Sequence, residues 1–254
     1  MKILAILGSG RKKGNTFLAV QRMEEKLKEL DSAVEFEYLY LSDADIMPCI
    51  GCRACFNKGE EHCPRKDDIP AIVQKLLAAD GVIFASPTYV CAMSGTMKNF
   101  LDRIAYFCHR PAFHGKAAVI LTTTAGGGAN IAAQTIRLPI GSIGFSMAGS
   151  LGIAMHTGDV IPVPEQAARK LDRLALALYK RITGPRRDAP TVFSLVSFYV
   201  NRRYYMKKDT ESYDHHFFEK MGWLEPGRAY YTDAKPTVLH KAAAHFIRLF
   251  LKAT

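Results

Sequence analysis

Four cysteines, Cys49, Cys52, Cys55 and Cys63, fall within fifteen residues in the pattern C-x2-C-x2-C-x7-C, with Pro64 directly after. Thiolates at intervals of three can converge on one metal group if the backbone coils tightly, and Gly51 assists such coiling. Compact runs of four cysteines hold iron–sulfur clusters. Structural zinc usually wants paired knuckles separated by a longer stretch, so zinc is the weaker metal. Two plainer readings stay open: reduced thiols in a surface loop, or the remnant of a cluster lost in an ancestor. The chain has six cysteines and shows no export signal, so a disulfide framework is not expected. Cys91 falls just after a strand end, and Cys108 reads as ordinary packing.

The second chemistry-bearing segment is Ile6-Leu7-Gly8-Ser9-Gly10-Arg11-Lys12-Lys13-Gly14-Asn15-Thr16. A loop that leaves a buried strand and enters a helix points backbone N–H groups and the positive helix end at one spot, which suits a phosphate. Gly8, Gly10 and Gly14 permit close backbone approach. Ser9, Asn15 and Thr16 add donors, and Arg11 adds charge. The spacing is neither G-x-G-x-x-G nor G-x-x-x-x-G-K-[ST], so a dinucleotide fingerprint and a Walker loop both fit poorly.

These groups need elements to hold them, and the chain alternates strand and helix. Residues 2–8 form a near-continuous apolar run, as expected of a strand buried on both faces. Residues 16–30 carry Phe17, Leu18, Val20, Met23, Leu27 and Leu30 at helical spacing, with Asn15 or Thr16 as a natural N-cap. Further strands are expected at 34–40, 81–86, 117–123 and 146–153. Helices are expected at 69–79 (behind Asp67-Asp68, with Pro70 in the first turn), at 95–107, after Gly126-Gly127-Gly128, and at 164–182. Five such alternations predict a doubly wound parallel sheet whose ligand lies beyond the carboxyl strand ends, at the switch point. The loops after the first, third and fourth strands then line one site.

At these residues the sequence resembles a known family. GSGRKKGNT, residues 8–16, resembles the G-S-x-R-x-x-[GS]-[NS]-[ST] flavin-phosphate loop of the NAD(P)H-dependent FMN reductases, relatives of flavodoxin. Ser86-Pro87-Thr88-Tyr89, with Gly95, Lys98, Asn99, Asp102 and Arg103 downstream, resembles that family's S-P-x-Y…K-x-x-D-R segment. Residues 122–128 (TTTAGGG) resemble its third flavin loop. The resemblance covers about residues 1–180 and implies a flavodoxin-like sheet of order 2-1-3-4-5. By the same resemblance, Ser9, Arg11, Gly14, Asn15 and Thr16 would bind the FMN phosphate. Pro87, Thr88 and Tyr89 would contact the ring or ribityl chain, with Thr124, Gly126 and Gly127 on the other edge. Lys98, Asp102 and Arg103 have a competing role as solvated helix charge pairs, which is favoured for Asp102 and Arg103. The cysteine spacing is similar, position by position, to that of the iron–sulfur flavoproteins, which carry a [4Fe–4S] cluster beside FMN.

The resulting expectation is an FMN-containing oxidoreductase that takes electrons from NAD(P)H and gives them to a small-molecule or protein acceptor. The flavin does the hydride chemistry, so no catalytic side chain is named. The alternative is an electron carrier using a cluster on Cys49, Cys52, Cys55 and Cys63. A non-enzymatic membrane-peripheral or assembly role is the third reading.

The βα alternation stops at Gly184-Pro185-Arg186-Arg187. Residues 1–183 read as the FMN domain, and 184–254 as a helical extension packing on it or on a partner in a homo-oligomer, a dimer or tetramer. Two apolar–basic stretches, 192–208 and 242–252, together with Trp223, suit such docking better than a membrane surface. His215-His216 lacks a metal framework. Net charge is +10, yet no basic block is interleaved with stacking aromatics, so nucleic acid is not expected. The apolar run at 2–8 is too short for a signal-peptide core, and the expected location is cytoplasmic.

Overall fold

The computed structural model describes residues 1–155, 163–185, 190–207 and 211–234, with 237, 238, 240 and 242 besides. β1 (Lys2–Leu7) is an interior strand, with Ile3 to Leu7 fully buried. It pairs in parallel with β2 (Glu35–Tyr40) on one side and β3 (Gly81–Tyr89) on the other. β5 (Ala117–Thr124) and β6 (Ser146–Ala154) continue the parallel sheet, giving the path β2-β1-β3-β5-β6. The order of the long strands is the expected one.

β4 (Ala92–Met93) was not expected. It folds back antiparallel on the end of β3, pairing Thr88 with Met93 and Tyr89 with Ala92. Two residues are too few to leave a periodicity in the sequence, and the pairing carries β3 beyond Ser86 to Tyr89.

Side chains alternate across the sheet, as the pleat demands. Leu4, Ile6, Val82, Phe84 and Ile120 face one core with α3 (Ile69–Ala78), α4 (Gly95–Arg103) and α5 (Ala129–Ser142). Ile3, Ala5, Leu7, Ile83, Val119 and Leu121 face the other, with α1 (Asn15–Leu30) and α6 (Glu165–Thr183). α4 ends at Arg103, short of the expected 107, and a tighter 3-10 turn, Ala105–Cys108, follows.

Beyond α6, α7 (Val192–Lys207) and α8 (Tyr213–Lys220) build a third cluster from Leu195, Phe198, Tyr205, Phe218, Trp223, Tyr230 and Tyr231. The Trp223 indole N–H donates to the Tyr231 carbonyl at 3.0 Å, so the one tryptophan is buried with its polar atom satisfied. Arg186, Arg187, Lys208 and most of the second apolar–basic stretch, 243–252, lie outside the described residues. Among the described residues no helix is long and apolar enough to cross a membrane.

Phe84 sits fully buried on the central sheet, edge-on to Phe145 at 5.6 Å. Phe84→Ala is expected to cost about 3–5 kcal/mol through lost contacts and the cavity left behind. Urea unfolding checks this: the midpoint should fall with the slope unchanged.

Candidate functional site

β1 and β3 are neighbours, but the chain leaves them in opposite directions, to α1 and α4. Their terminal loops therefore part around a crevice, and the loop after β5 closes its far side. One cavity of about 330 Å³ occupies the place, lined by Ser9, Arg11, Asn15 and Thr16, by Pro87, Thr88 and Tyr89, and by Thr123, Thr124, Ala125 and Gly126. Nine of the eleven site residues expected for a flavin meet there. Gly14 and Gly127 flank the cavity instead, Gly14 as the residue before α1 and Gly127 as a carbonyl accepting from the Thr124 hydroxyl at 3.1 Å.

The loops are tied to each other by buried hydroxyls. Ser94 Oγ donates to the Gly8 carbonyl at 2.6 Å and accepts from the Met97 N–H at 3.2 Å, which also caps α4. The Ser94 N–H donates to Ser86 Oγ at 2.9 Å. A Cβ on residue 8 would lie 2.8 Å from Ser94 Oγ and 2.9 Å from Met97 Cβ, so only glycine lets α4 approach the first loop. Thr16 and Thr123 share a buried hydrogen bond of 2.7 Å across the crevice. This bond explains why Thr16 does not cap α1: its hydroxyl is spent on β5.

The N-terminus of α1 corrects the expected cap. Gly14 takes that position with an extended backbone and, having no side chain, makes no capping hydrogen bond. A helix start without a capping side chain suits an anion. Charge is placed to match. Lys12 is paired with Asp43 at 2.9 Å, but Arg11 has no carboxylate partner among the described residues. Ser9 Oγ accepts from the Arg11 N–H at 3.2 Å and so holds the loop in shape.

Two observations test the fit of a flavin. Thr88 Oγ1 is buried in the cavity wall without a hydrogen-bond partner among the described residues, a costly state unless a ligand supplies one. Residues 10, 126 and 127 face open space, so planar groups can come close to backbone. The residues present fit FMN.

The rim is strained. Val90 and Cys91 have φ of 50° and 59°, left-handed backbone that β-branched valine resists, and Val90 is fully exposed. Two positive-φ residues between β3 and β4 are what a tight hairpin requires. Gly128, at φ 84°, lies against this tip; a Cβ there would sit 2.7 Å from Cys91 Sγ.

The cysteine loop, between β2 and α3, is held by two arginines that sequence reasoning misjudged or missed. Arg103 is not a solvated partner of its helix neighbours. It is buried, paired with Asp67, and donates to the Met47 carbonyl at 2.8 Å and the Arg65 carbonyl at 3.2 Å, with Nη2 3.6 Å from Cys63 Sγ. The solvated pair is Lys98–Asp102, at 2.5 Å. Arg110, from the loop after α4, donates to the Cys55 carbonyl and to Glu60, both at 2.8 Å. Its Nε lies 2.8 Å from Asp214 Oδ1 of α8, in ionic contact without hydrogen-bond alignment. Its guanidinium also stacks over Tyr213 at 4.6 Å. Arg103 closes α4 and Arg110 lies just beyond it, and helical periodicity gives no sign that either is buried.

Cys49 and Cys52 are exposed, and Cys55 and Cys63 half-buried. Burial first, and then neighbouring Cys63, pushes the Cys55 thiol up to about 11, with Arg110 opposing. Left-handed Gly51 and Arg53 coil the loop as its spacing suggests. Among the described residues no three Cys, His, Asp or Glu side chains already converge as a metal site. The donor set still suits a soft metal cluster: four thiols with two buried cations beside them. Cys91 stands at the exposed tip of the β3–β4 hairpin, and Cys108 packs against Ser142 at 3.3 Å.

Comparison with known proteins agrees with this geometry. The family model described as NADPH-dependent FMN reductase matches residues 1–157. An iron–sulfur flavoprotein of Archaeoglobus fulgidus is 39% identical over 129 residues, 50% of this chain and 56% of that protein. One of Methanocaldococcus jannaschii is 32% identical over 171 residues, 63% of this chain and 83% of that protein. The chain spans about half the length of the first curated relatives it matches. Among solved structures, an apo NADH:FMN oxidoreductase superposes with a TM-score of 0.55 at 20% identity, covering 75% of this chain and 96% of that one.

Arg103 supplies the clearest test of the loop's support. Burial alone would raise the Asp67 carboxyl. The Arg103 guanidinium and the N–H groups of Met47 and Ile69 outweigh it and hold the group below the ordinary carboxylate range. A depressed value stabilises the fold above the unfolded carboxylate pKa, and that stability is lost as pH falls through the folded one. Arg103→Gln is expected to cost about 3–5 kcal/mol at neutral pH, because a buried carboxylate loses its partner. The penalty should shrink as the pH is lowered toward 3, since the variant's buried Asp67, without its guanidinium, can protonate and shed the unpaired charge. Urea titrations at the two pH values measure it.

Proposed function

The chain belongs to the NADPH-dependent FMN reductase family, and from that premise we propose that it is an FMN-containing oxidoreductase fed by a nicotinamide and serving a small-molecule or protein acceptor. The observation that carries this reading is the three-loop cavity: an uncapped helix start and an unpaired Arg11 at one end, an orphaned Thr88 hydroxyl in its wall. A phosphate needs the first, and a polar ring edge or ribityl hydroxyl satisfies the second.

In this account Arg11, Asn15 and the first-turn N–H groups of α1 neutralise the phosphate, while Ser9 and Thr16 keep the loop folded around it. Pro87 to Tyr89 form one edge of the ring site and Thr124 to Gly126 the other. FMN, when bound, supplies hydride exchange with the nicotinamide. The protein's share is to bind, orient and exclude water. Tyr89, half-exposed at the end of β3, offers an aromatic surface where a second planar molecule can stack.

The cysteine loop supports a second reading, that of an electron carrier. Cys49, Cys52, Cys55 and Cys63 would hold a [4Fe–4S] cluster, which would supply one-electron exchange. Arg103 beside Cys63 and Arg110 on the Cys55 carbonyl would orient those ligands and offset their charge. The names of the relatives favour this reading, since they are called iron–sulfur flavoproteins.

Arg11→Ala is expected to weaken FMN binding about 10- to 100-fold, the worth of a charge-assisted contact to phosphate. Fluorescence quenching of FMN on titration measures it, and unchanged affinity would remove Arg11 from the site. Iron and acid-labile sulfide after anaerobic reconstitution decide the carrier reading; neither element bound means no cluster.

A further inference from the structure

A second cavity, of about 740 Å³, lies away from the three loops, between the cysteine-bearing α2 (Ala54–Asn57) and the C-terminal α7. Its lining includes Phe56, His109, Val200, Tyr204, Arg53 and Glu211. The FMN account uses none of these residues.

His109 is the group there with chemistry to offer. Its Nδ1 lies 2.7 Å from Asp214 Oδ2, and Asp214 is fully buried. The Tyr205 hydroxyl donates to the same oxygen at 2.8 Å. Burial, and then the charge of Asp214, raises the Tyr205 phenol and keeps it a donor. Asp214 also faces Arg110 in ionic contact, so it stays a carboxylate that accepts from the Tyr205 hydroxyl and meets His109 Nδ1 as an acceptor. That pattern assigns the imidazole proton to Nδ1. When the ring is neutral, Nε2 is therefore an acceptor, and among the described residues nothing bonds it. The ring is fixed from below as well, packed on Phe56 with centroids 4.5 Å apart.

The cavity thus presents one oriented acceptor, aromatic surface from Phe56 and the partly exposed Tyr204, and one charge of each sign, Arg53 and Glu211. Opposite charges in one wall suit a neutral ligand better than an anion. We infer that this cavity binds a neutral phenolic aromatic molecule, its ring against Phe56 and Tyr204 and its hydroxyl donating to His109 Nε2.

The test uses the full chain with excess FMN, which keeps the first cavity filled, and two probes: 2-naphthol, and 2-methoxynaphthalene, which has the same rings but no donor. Isothermal titration should show 2-naphthol binding about tenfold more tightly, the worth of one hydrogen bond. In His109→Phe that preference should vanish while FMN binding is unchanged. Val200→Trp, on an exposed position of α7, should fill the cavity and abolish binding of both probes. Equal affinity for the two probes, a preference that survives His109→Phe, undiminished binding in Val200→Trp, or no binding to the parent chain would each overturn the inference.

Discussion

The hydrogen bond from Ser94 Oγ to the Gly8 carbonyl, 2.6 Å and fully buried, is the tie on which the site depends. Parallel order alone brings β1 and β3 side by side and lets their loops diverge. Divergent loops would leave a cleft of no fixed width. Ser94 joins the first loop to the start of α4, and Ser86 joins that start to β3, so the crevice has a set gap. The absence of a side chain on Gly8 is the condition for that tie, and the Thr16–Thr123 bond sets the opposite wall. Shape, charge and the unsatisfied donors then follow from where these hydroxyls hold the backbone.

Much of this was legible in the sequence because it is repetitive. Strands buried on both faces read as unbroken apolar runs, and helices as 3.6-residue stripes, so the five long strands could be anticipated, while their order came from the family resemblance. Loop motifs in strand-end positions brought Ser9, Arg11, Pro87, Thr88, Tyr89, Thr124 and Gly126 together correctly. What escaped was single-residue geometry. Thr123 and Ala125 lie inside the third loop motif, but their place in the wall depends on the local turn after β5, which spacing does not encode. The short β4 hairpin has no period to detect. Arg103 looked like a surface residue because the helix pattern says nothing of a loop packed over its end, 36 residues earlier in the chain.

That loop shows how a cysteine-rich segment can be ordered without a core of its own. Its carbonyls are collected by two buried guanidiniums, one in α4 and one just after it. Each forks to several acceptors at once, which lysine could not do. Arg110 goes further and reaches α8, so the aromatic cluster of the C-terminal helices bears directly on the backbone of Cys55. The extension is therefore coupled to the cysteines mechanically, through packing and charge rather than through the sheet.

The central claim is that the first loop recognises a phosphate and the rest of the cavity a flavin ring. Binding of FMN and of riboflavin to the same protein separates the two directly, since they differ only in the phosphate. The account predicts that FMN binds at least about 10- to 100-fold more tightly, the worth of charge-assisted bonds to one anion. Equal affinities would contradict it, because the uncapped start of α1 and the unpaired Arg11 would then be holding nothing.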